Sequence, residues 1–268
     1  MDKAFKVLIF TDLDGSLLHR DTFKFDEIKD YLTQLISNGI FVIPNTSKTE
    51  KEILEFINEL GSSLPFISEN GAAIYGLDLL NANFPKKLIL SREKDDLLNI
   101  FKNTVPSNLQ NKCKWLSDMD KKKQSLIFGL KDKKLSMALD RKYTIPFLFE
   151  GTKNEKNELS KIIKNRDLYL QEGGRVINLT DKVNKANALR VFVKFFKKDN
   201  MNVKTIAVGD NYNDLEMLKT SDFPCLVFND KFTLDKISIN NLITSNKPSP
   251  AGWVDVIKIA LVQINKKR

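Results

Sequence analysis

The chain contains very little cysteine or histidine. Its 268 residues include two cysteines, Cys113 and Cys225, which lie far apart and have no metal-ligand spacing around them. This pattern argues against both a disulfide framework and a zinc site. There is one histidine, His19, which nearly excludes mechanisms that need a histidine base or several histidine ligands.

Long hydrophobic runs are also lacking. No apolar segment approaches the roughly 20 residues that a membrane-spanning helix needs. The N-terminal apolar stretch is short and meets an acidic residue too early for a signal peptide. We therefore expect a cytoplasmic protein with no membrane partner. With 42% hydrophobic residues, the chain can form one large domain or two modest ones, each with its own core.

The chain has an excess of positive charge, +9 at pH 7. A basic protein can bind nucleic acid, a membrane surface or an anionic small molecule. The lysines occur in short separate groups, for example at 131–134 and 153–156, and no aromatic-interleaved tract surrounds them. Solvated surface lysines explain the charge better than a nucleic-acid-binding stripe does, so no nucleic-acid partner is predicted.

Both ends of the chain alternate apolar strands with amphipathic helices. Because the strands are apolar throughout, this alternation predicts an α/β fold with a doubly wound, Rossmann-like parallel sheet that is covered on both faces. The predicted strands are 6–10, 40–44, 64–68, 203–210, 223–229 and 241–245. The predicted helices are 25–39, 49–61, 186–196, 213–218 and 253–264.

The middle of the chain has a different pattern. Short apolar or alternating runs, LILS, KWLSD, QSLIFGL, IPFLFE, DLYLQEG and RVINL, are separated by helical stretches. This α+β pattern predicts an inserted second domain over 83–180. The doubly wound domain would then consist of 1–82 and 181–268.

Polar residues follow the predicted strands of the first domain. Ligands of an open parallel sheet bind outside the carboxyl ends of its strands, so these residues are candidates for a site. They are Asp12 and Asp14 after the first strand, Thr46, Ser47 and Lys48 after the second, Glu69, Asn70 and Gly71 after the third, and Asp210, Asn213 and Asp214 after the strand at 203–210.

Several carboxylates at one edge of a sheet would repel one another unless a cation lies among them. Oxygen ligands without histidine or cysteine select a hard ion, such as Mg²⁺, Mn²⁺ or Ca²⁺. Neither acidic stretch fits a calcium-binding loop, because Phe23 and Tyr212 occupy positions that need oxygen ligands. Mg²⁺ often binds together with a substrate phosphate. Thr46 and the helix-opening Lys185 are candidate phosphate partners.

The segments DLDGS, TSK, the lysine of VNK and GDNYND, in that order, resemble motifs one to four of the haloacid dehalogenase superfamily. The resemblance covers nearly the whole chain, including an insertion where one branch of the superfamily carries an α/β cap domain. The Thr-Ser-Lys segment, QEGGRVINL and SPAGW resemble the mannosyl-3-phosphoglycerate phosphatase family.

The resemblance implies a phosphatase that uses Mg²⁺ and an aspartyl-phosphate. Asp12 is then the nucleophile, and Asp14 is the general acid and base. Thr46 and Lys185 hold the phosphoryl oxygens. The implied metal ligands are Asp12, the backbone carbonyl of Asp14 and Asp210, with Asn213 and Asp214 acting indirectly or through water.

The resemblance also implies that the inserted domain selects the substrate. Arg175 is the candidate for binding a glycerate carboxylate, and Gly173 and Gly174 would allow close backbone approach. The alternative for this segment is a Gly-Gly hairpin with an exposed arginine. The further substrate-binding candidates are Ser47, Lys48, Glu69, Asn70 and Gly71, although turn chemistry explains Asn-Gly and solvation explains Lys48 equally well.

The predicted reaction is hydrolysis of mannosyl-3-phosphoglycerate or its glucosyl analogue to a glycosylglycerate, a compatible solute, and phosphate. The substrate partner is thus a phosphorylated small molecule. Alternatives are a phosphatase of another sugar phosphate, including a sucrose-phosphate-like substrate, and a phosphotransferase like the phosphomannomutases. An inactive sensor or binding module is the alternative from a different class; the intact Asp12, Asp14, Lys185 and Asp210 argue against it.

Overall fold

Strands and helices alternate along the computed structural model, which describes residues 5–173, 175–198, 202–232 and 238–266. The strands are β1 (Phe5–Thr11), β2 (Phe41–Pro44), β3 (Phe66–Ser68), β4 (Ala73–Tyr75), β5 (Lys87–Ile89), β6 (Cys113–Trp115), β7 (Thr144–Phe149), β8 (Leu168–Glu172), β9 (Ile177–Asp181), β10 (Asn202–Gly209), β11 (Phe223–Leu226) and β12 (Ile243–Thr244). The helices are α1 (Lys29–Ser37), α2 (Glu50–Leu60), α3 (Lys94–Thr104), α4 (Ser107–Gln110), α5 (Lys121–Phe128), α6 (Asp132–Leu139), α7 (Lys153–Lys164), α8 (Lys185–Lys198), α9 (Leu215–Thr220) and α10 (Ala251–Lys266). Within these residues no helix has both the length and the apolar character that crossing a membrane requires.

The chain divides into two compact units. The first contains the residues up to 47, residues 55–88 and the residues from 184 onwards, and the second contains 48–54 and 89–183. The boundaries expected from the sequence, 82/83 and 180/181, lie a few residues before 88/89 and 183/184. Nothing in the sequence singles out 48–54 as a part of the second unit.

A five-stranded parallel sheet forms the centre of the first unit, in the order β12-β11-β10-β1-β2. Strand β1 is paired on both sides, with Ile9 opposite Ile206 of β10 and Val42 of β2. Leu8, Ile9 and Phe10 are each 0% exposed. A strand that is buried on both faces has to be apolar throughout, which is why β1 reads as a continuous hydrophobic run.

Helices cover both faces of this sheet. Phe10 and Thr11 are consecutive in β1, so their side chains point to opposite faces. The Phe10 ring meets Phe192 of α8 edge-on at 5.3 Å. On the other face, the indole of Trp253 in α10 donates a hydrogen bond of 2.9 Å to Thr11 Oγ1. The predicted doubly wound α/β fold is therefore confirmed.

The third predicted strand takes a different place from the expected one. Phe66–Ser68 pairs antiparallel with β4, in a separate three-stranded sheet of β3, β4 and β5. A parallel bridge between Ile67 and Asn45, just beyond β2, links it to the parallel sheet. An apolar run predicts a buried strand, but it does not specify which strand will pair with it. Here β4 is as apolar as the strands of the parallel sheet and is the partner of β3.

The second unit is built on a four-stranded antiparallel sheet in the order β6-β7-β9-β8. One face is apolar and packs under α3 and α7, with Phe147 and Leu179 both 0% exposed. The other face carries polar residues that are nevertheless buried, namely Thr144, Asn178 and Thr180. The same face also packs against a second apolar cluster, which includes Phe128 of α5 and Leu135 of α6.

One of the short apolar runs in this unit is a helix. The sequence pattern places the run QSLIFGL at 124–130 among the strand-like segments, but Lys121–Phe128 is helical. Asp120 caps the helix by accepting a hydrogen bond from the backbone N–H of Lys123, and Gly129 ends it in the left-handed conformation. A short apolar run cannot be assigned from its periodicity alone, and here the two caps favour the helix.

The bond between Trp253 and Thr11 provides a test of the packing on one face of the central sheet. Trp253→Phe removes the indole donor from a fully buried position and leaves a small cavity. We expect a loss of about 2–3 kcal/mol in the free energy of unfolding, measured by urea denaturation. A double-mutant cycle with Thr11→Val should give an interaction energy of about 1 kcal/mol. Additive losses would contradict the proposed contact.

Candidate active site

Asp12 and Asp14 lie directly after β1, on the turn that leaves the sheet. The Asp12 backbone N–H donates to Val208 O at 2.9 Å, which extends the pairing with β10 by one residue. Asp12 is buried and Asp14 is half-buried. Gly15 has a φ of +82°, a conformation that favours glycine. The turn therefore brings both side chains to the carboxyl edge of the sheet.

Lys185 is the buried cation of this edge. Its ammonium lies 2.8 Å from Asp12 Oδ1 and 2.7 Å from Asp214 Oδ1, and its side chain is 2% exposed. Burial lowers the pKa of Lys185, but Asp12 and Asp214 raise it and prevail, so its pKa is above the ordinary value. Asn45 Nδ2 donates to the Lys185 carbonyl at 3.0 Å and holds the start of α8.

Asp214 joins Lys185 to the loop that follows β10. Its Oδ1 accepts from Lys185, and its Oδ2 accepts from the backbone N–H groups of Asp210 at 3.1 Å and Asn211 at 3.2 Å. Burial, reinforced by Asp12, raises its pKa despite the contact with Lys185. Asn213 lies in the adjacent 3-10 turn, Tyr212–Asp214, with an exposed side chain.

Asp210 is the other buried acid of this loop. Its Oδ1 accepts from Ser16 Oγ at 3.2 Å, and its Oδ2 accepts from Asn229 Nδ2 at 3.0 Å and pairs with the Arg20 guanidinium. Burial raises the pKa of Asp210 to about 7, and the negative charges of Asp214 and Asp12 add to the effect. Burial thus disfavours the ionised form of Asp210, and Arg20 and Lys185 only partly oppose the effect.

The acidic cluster fits a hard divalent cation. Carboxylate oxygens of Asp12, Asp210 and Asp214 lie within 4.8 Å of one another, and all three residues are buried. An all-oxygen donor set with an uncompensated negative charge suits Mg²⁺. Asp214 accepts from Lys185 with one oxygen and from the backbone with the other. One partner of Asp210, by contrast, is the partly exposed Arg20, so Asp12 and Asp210 are the better donors. The carboxylate of Asp14 does not belong to this group of three. The predicted metal contact of Asp14 is through its backbone carbonyl.

The segment after β2 contains three polar residues that the sequence predicts as candidates. Thr46 is 1% exposed, and its backbone N–H donates to Ile67 O at 3.2 Å. Ser47 is half-buried. Lys48 pairs with Glu52 at 3.3 Å and groups with the second unit. Lys48 therefore has an acidic partner in its own helix segment.

Glu69, Asn70 and Gly71 adopt three consecutive left-handed conformations, with φ values of 47°, 59° and 99°. All three residues are buried. The Asn70 backbone N–H donates to the carbonyl of Thr46 at 2.8 Å, and its Oδ1 has no hydrogen-bond partner among the described residues. Left-handed backbone at non-glycine residues costs free energy and tends to occur at functional sites. The segment is thus a strained turn next to Thr46.

Arg175 and Gly173 lie in the β8–β9 hairpin of the second unit, while Gly174 falls outside the described residues. Gly173 N donates to Val176 O at 2.9 Å. Arg175 is exposed, and its guanidinium lies against Gly129, where an added Cβ would approach Nη1 to 2.7 Å. Arg175 therefore sits at the C-terminal end of α5, where a positive charge is favourable.

Two amide groups extend the polar surface of this hairpin. Gln171 and Asn178 are opposite each other across β8 and β9. Gln171 Nε2 donates to Val183 O at 2.7 Å, whereas Gln171 Oε1 and Asn178 Oδ1 are buried without hydrogen-bond partners among the described residues. Buried acceptors without donors are costly, so a ligand rich in hydroxyl donors would suit them.

Sequence reasoning missed several residues of the site. Ser16, Arg20 and Asn229 contact Asp210, and Asn45 holds Lys185. Asn45 directly precedes Thr46, so its place in NTSK was a usable signal. Arg20 and Asn229 occur in loops with no pattern that connects them to Asp210, and only the tertiary structure brings them there.

A family model described as haloacid dehalogenase-like hydrolase matches residues 9–249 of the chain. Because the match spans most of its length, the protein belongs to the haloacid dehalogenase-like hydrolases. The resemblance drawn from the motifs is thereby confirmed, and the chain is a phosphoric monoester hydrolase of this family.

Curated relatives resemble the chain over nearly its full length. A protein of Persephonella marina named glucosyl-3-phosphoglycerate/mannosyl-3-phosphoglycerate phosphatase is 29% identical, covering 97% of this chain and 99% of its own. A protein of the same name from Methanococcoides burtonii is 30% identical, covering 94% and 96%.

Solved structures share the fold. A Thermoplasma acidophilum protein superposes with a TM-score of 0.69 at 14% identity, covering 95% of this chain and 98% of its own. The sucrose-phosphatase of Synechocystis, solved with sucrose and phosphate, superposes with a TM-score of 0.61 at 14% identity, covering 95% and 98%. These similarities establish the architecture.

Gly71 provides a test of how the strained turn supports Lys185. A Cβ at this position would lie 2.3 Å from the backbone oxygen of Asn184, the residue before Lys185. Gly71→Ala should therefore displace the start of α8, cost at least about 2 kcal/mol more than an ordinary left-handed glycine substitution, and lower kcat at least about tenfold.

Gly39→Ala is the matched control. Gly39 also has a left-handed φ of +77°, but an added Cβ would meet nothing within 4 Å. Its substitution should cost only the backbone strain, about 1 kcal/mol, with unchanged kcat. Chemical denaturation and initial rates measure both effects. Equal losses in the two variants would show that the approach to Asn184 is unimportant.

Proposed function

We propose that the protein is a Mg²⁺-dependent phosphomonoesterase that hydrolyses mannosyl- or glucosyl-3-phosphoglycerate to the glycosylglycerate and phosphate. The buried Lys185 between Asp12 and Asp214, next to Asp210, is the observation that carries this proposal. The names of the relatives from Persephonella marina and Methanococcoides burtonii support the choice of substrate.

In this proposal a carboxylate oxygen of Asp12 attacks the phosphorus and forms an aspartyl-phosphate. The glycerate oxygen leaves with the bonding electron pair and takes a proton from Asp14. Asp14 then removes a proton from water, which attacks the phosphoenzyme, releases phosphate and regenerates Asp12. Bound Mg²⁺ supplies charge neutralisation between the nucleophile and the phosphate.

The other residues of the first unit bind and orient in this scheme. Asp12 and Asp210 would hold Mg²⁺ together with the Asp14 carbonyl. Thr46 and Lys185 stabilise the phosphoryl oxygens, since a hydroxyl donor and a buried ammonium act strongly where water is excluded. Asp214 keeps Lys185 in position and, with Asn213, would support the metal indirectly.

We propose that the remaining candidates recognise the rest of the substrate. Arg175 would bind the glycerate carboxylate, since a guanidinium can pair with a carboxylate through two hydrogen bonds. Gly173 and Gly174 would admit the substrate close to the backbone. The buried acceptors of Gln171 and Asn178 would suit sugar hydroxyls. The other proposed contacts are Ser47, Lys48, Glu69, Asn70 and Gly71.

Asp12→Asn tests the nucleophile. The amide cannot form the aspartyl-phosphate, so turnover should disappear while the fold persists. Circular dichroism and thermal unfolding check the fold, and phosphate release measures turnover. More than about a thousandth of the wild-type activity, which corresponds to roughly 4 kcal/mol of barrier, would argue against Asp12 as the nucleophile.

A phosphate-release screen with Mg²⁺ tests the substrate. The panel should contain both glycosyl-3-phosphoglycerates, 3-phosphoglycerate, hexose phosphates and sucrose phosphate, with analysis for a moved phosphate. We expect the highest kcat/KM for the glycosyl-3-phosphoglycerates, with inorganic phosphate as a product. Equal activity on hexose phosphates would contradict the proposed substrate but not the proposed phosphatase activity.

Arg175→Ala tests substrate selection. Loss of a charge-assisted pair should raise KM for a glycosyl-3-phosphoglycerate about tenfold or more and leave KM for p-nitrophenyl phosphate nearly unchanged. Arg166→Ala is the matched control, because Arg166 is also exposed in the second unit and loses the same charge. A parallel increase in both KM values for Arg175→Ala would point to a structural role.

A further inference from the structure

Arg20 lies on a tightly held loop that follows the Asp12–Asp14 turn. His19 N donates to Lys24 O at 2.9 Å, and Phe23 N donates to His19 O at 2.9 Å. The imidazole Nδ1 of His19 accepts from the backbone N–H of Asp21 at 3.2 Å. These bonds fix the backbone on both sides of Arg20, so its side chain leaves the loop from a defined position.

The Arg20 guanidinium is directed at the acidic cluster. It forms an ion pair with Asp210 Oδ2, in which the arginine side chain is 33% exposed and the aspartate 2%. The ion pair lies next to Gly15. A Cβ on Gly15 would lie 2.9 Å from Arg20 Nη2 and 2.8 Å from Asp210 Oδ2, so the ion pair occupies the space above the Gly15 backbone.

The Asp210 carboxylate has little room for an additional partner while Arg20 is in place. Its Oδ2 already receives Arg20 and Asn229, and its Oδ1 receives Ser16. An oxygen with two donors has no lone pair to offer to a metal. A divalent cation that used Oδ1 instead would lie close to the guanidinium and be repelled by it.

The balance of charges in the cluster also indicates that Arg20 can be displaced. The three buried carboxylates of Asp12, Asp210 and Asp214 face two cations, Lys185 and Arg20. The Lys185 side chain is 2% exposed between Asp12 and Asp214, whereas the Arg20 side chain is 33% exposed. Arg20 is therefore the cation that can leave when another positive charge enters.

We propose that Arg20 is the counter-ion of Asp210 when no divalent cation is bound, and that the metal must displace its guanidinium to bind. Arg20 is thus a positioning residue that holds Asp210 in the metal-free protein and lowers the affinity for the metal. This inference rests on the metal site of the proposed function. It assigns to this residue a role that the motifs do not cover.

Titration of the full chain with Mg²⁺ and with Mn²⁺ tests the inference by isothermal calorimetry, without substrate and in phosphate-free buffer. The proteins are the wild type, Arg20→Met and Arg20→Gln, all freed of metal with a chelator. Both variants should bind both ions about tenfold more tightly, the effect that one neighbouring charge exerts on a carboxylate site. The rise in Tm on adding Mg²⁺ should also be larger than in the wild type.

Arg190→Met is the matched control. Arg190 belongs to the same unit and its substitution removes the same charge, but its guanidinium binds Asn187 and Thr220. Its Kd for either ion should equal that of the wild type. An equal increase in metal affinity in Arg190→Met would show that the effect comes from the net charge of the protein, which would overturn the proposal.

Wild-type affinity in the two Arg20 variants, within about twofold, or weaker binding would overturn the proposal. Absence of any ion binding in all four proteins would overturn it as well. These outcomes are separable from failure of the proposed function. If the wild type hydrolyses none of the phosphate esters, the comparison of metal affinities is still valid. If the wild type and the Arg20 variants bind metal equally, the proposed phosphatase activity is unaffected.

Discussion

The site depends on one buried ammonium held between two carboxylates. Lys185 binds Asp12 and Asp214 at 2.8 and 2.7 Å with almost no solvent contact. Removal of Lys185 would leave both buried carboxylates without this cation, and such a break in a buried ion pair typically costs about 3–5 kcal/mol. Asp12 follows β1 and Asp214 follows β10, so this pair of contacts joins two neighbouring strand ends across the carboxyl edge of the sheet.

Much of the nearby structure keeps Lys185 in place. Asn45 binds its carbonyl, and the glycine at 71 admits the backbone just before it. Asp214 in turn fixes the loop that presents Asp210 through two backbone hydrogen bonds. The strained turn at 69–71 is consistent with this role, since left-handed backbone persists only where the surroundings impose it.

The cluster has a negative charge that the described residues do not fully balance. Burial and the neighbouring acids raise the pKa of Asp210 to about 7, even though Arg20 opposes the shift. A protein can hold such a group with a resident side chain or with a bound cation. In our proposals both occur, and Arg20 and the metal alternate at Asp210.

The α/β class, the strand ends and the acidic motifs can be predicted from the sequence, because apolar runs and short acidic segments are local signals. The sequence left the partner of 66–68 and the helix at 121–128 undecided, since periodicity does not identify a neighbour or separate short helices from strands. Only the tertiary structure brought Arg20 and Asn229 to Asp210. Contacts between loops distant in sequence depend on packing and chain direction, which local patterns do not encode.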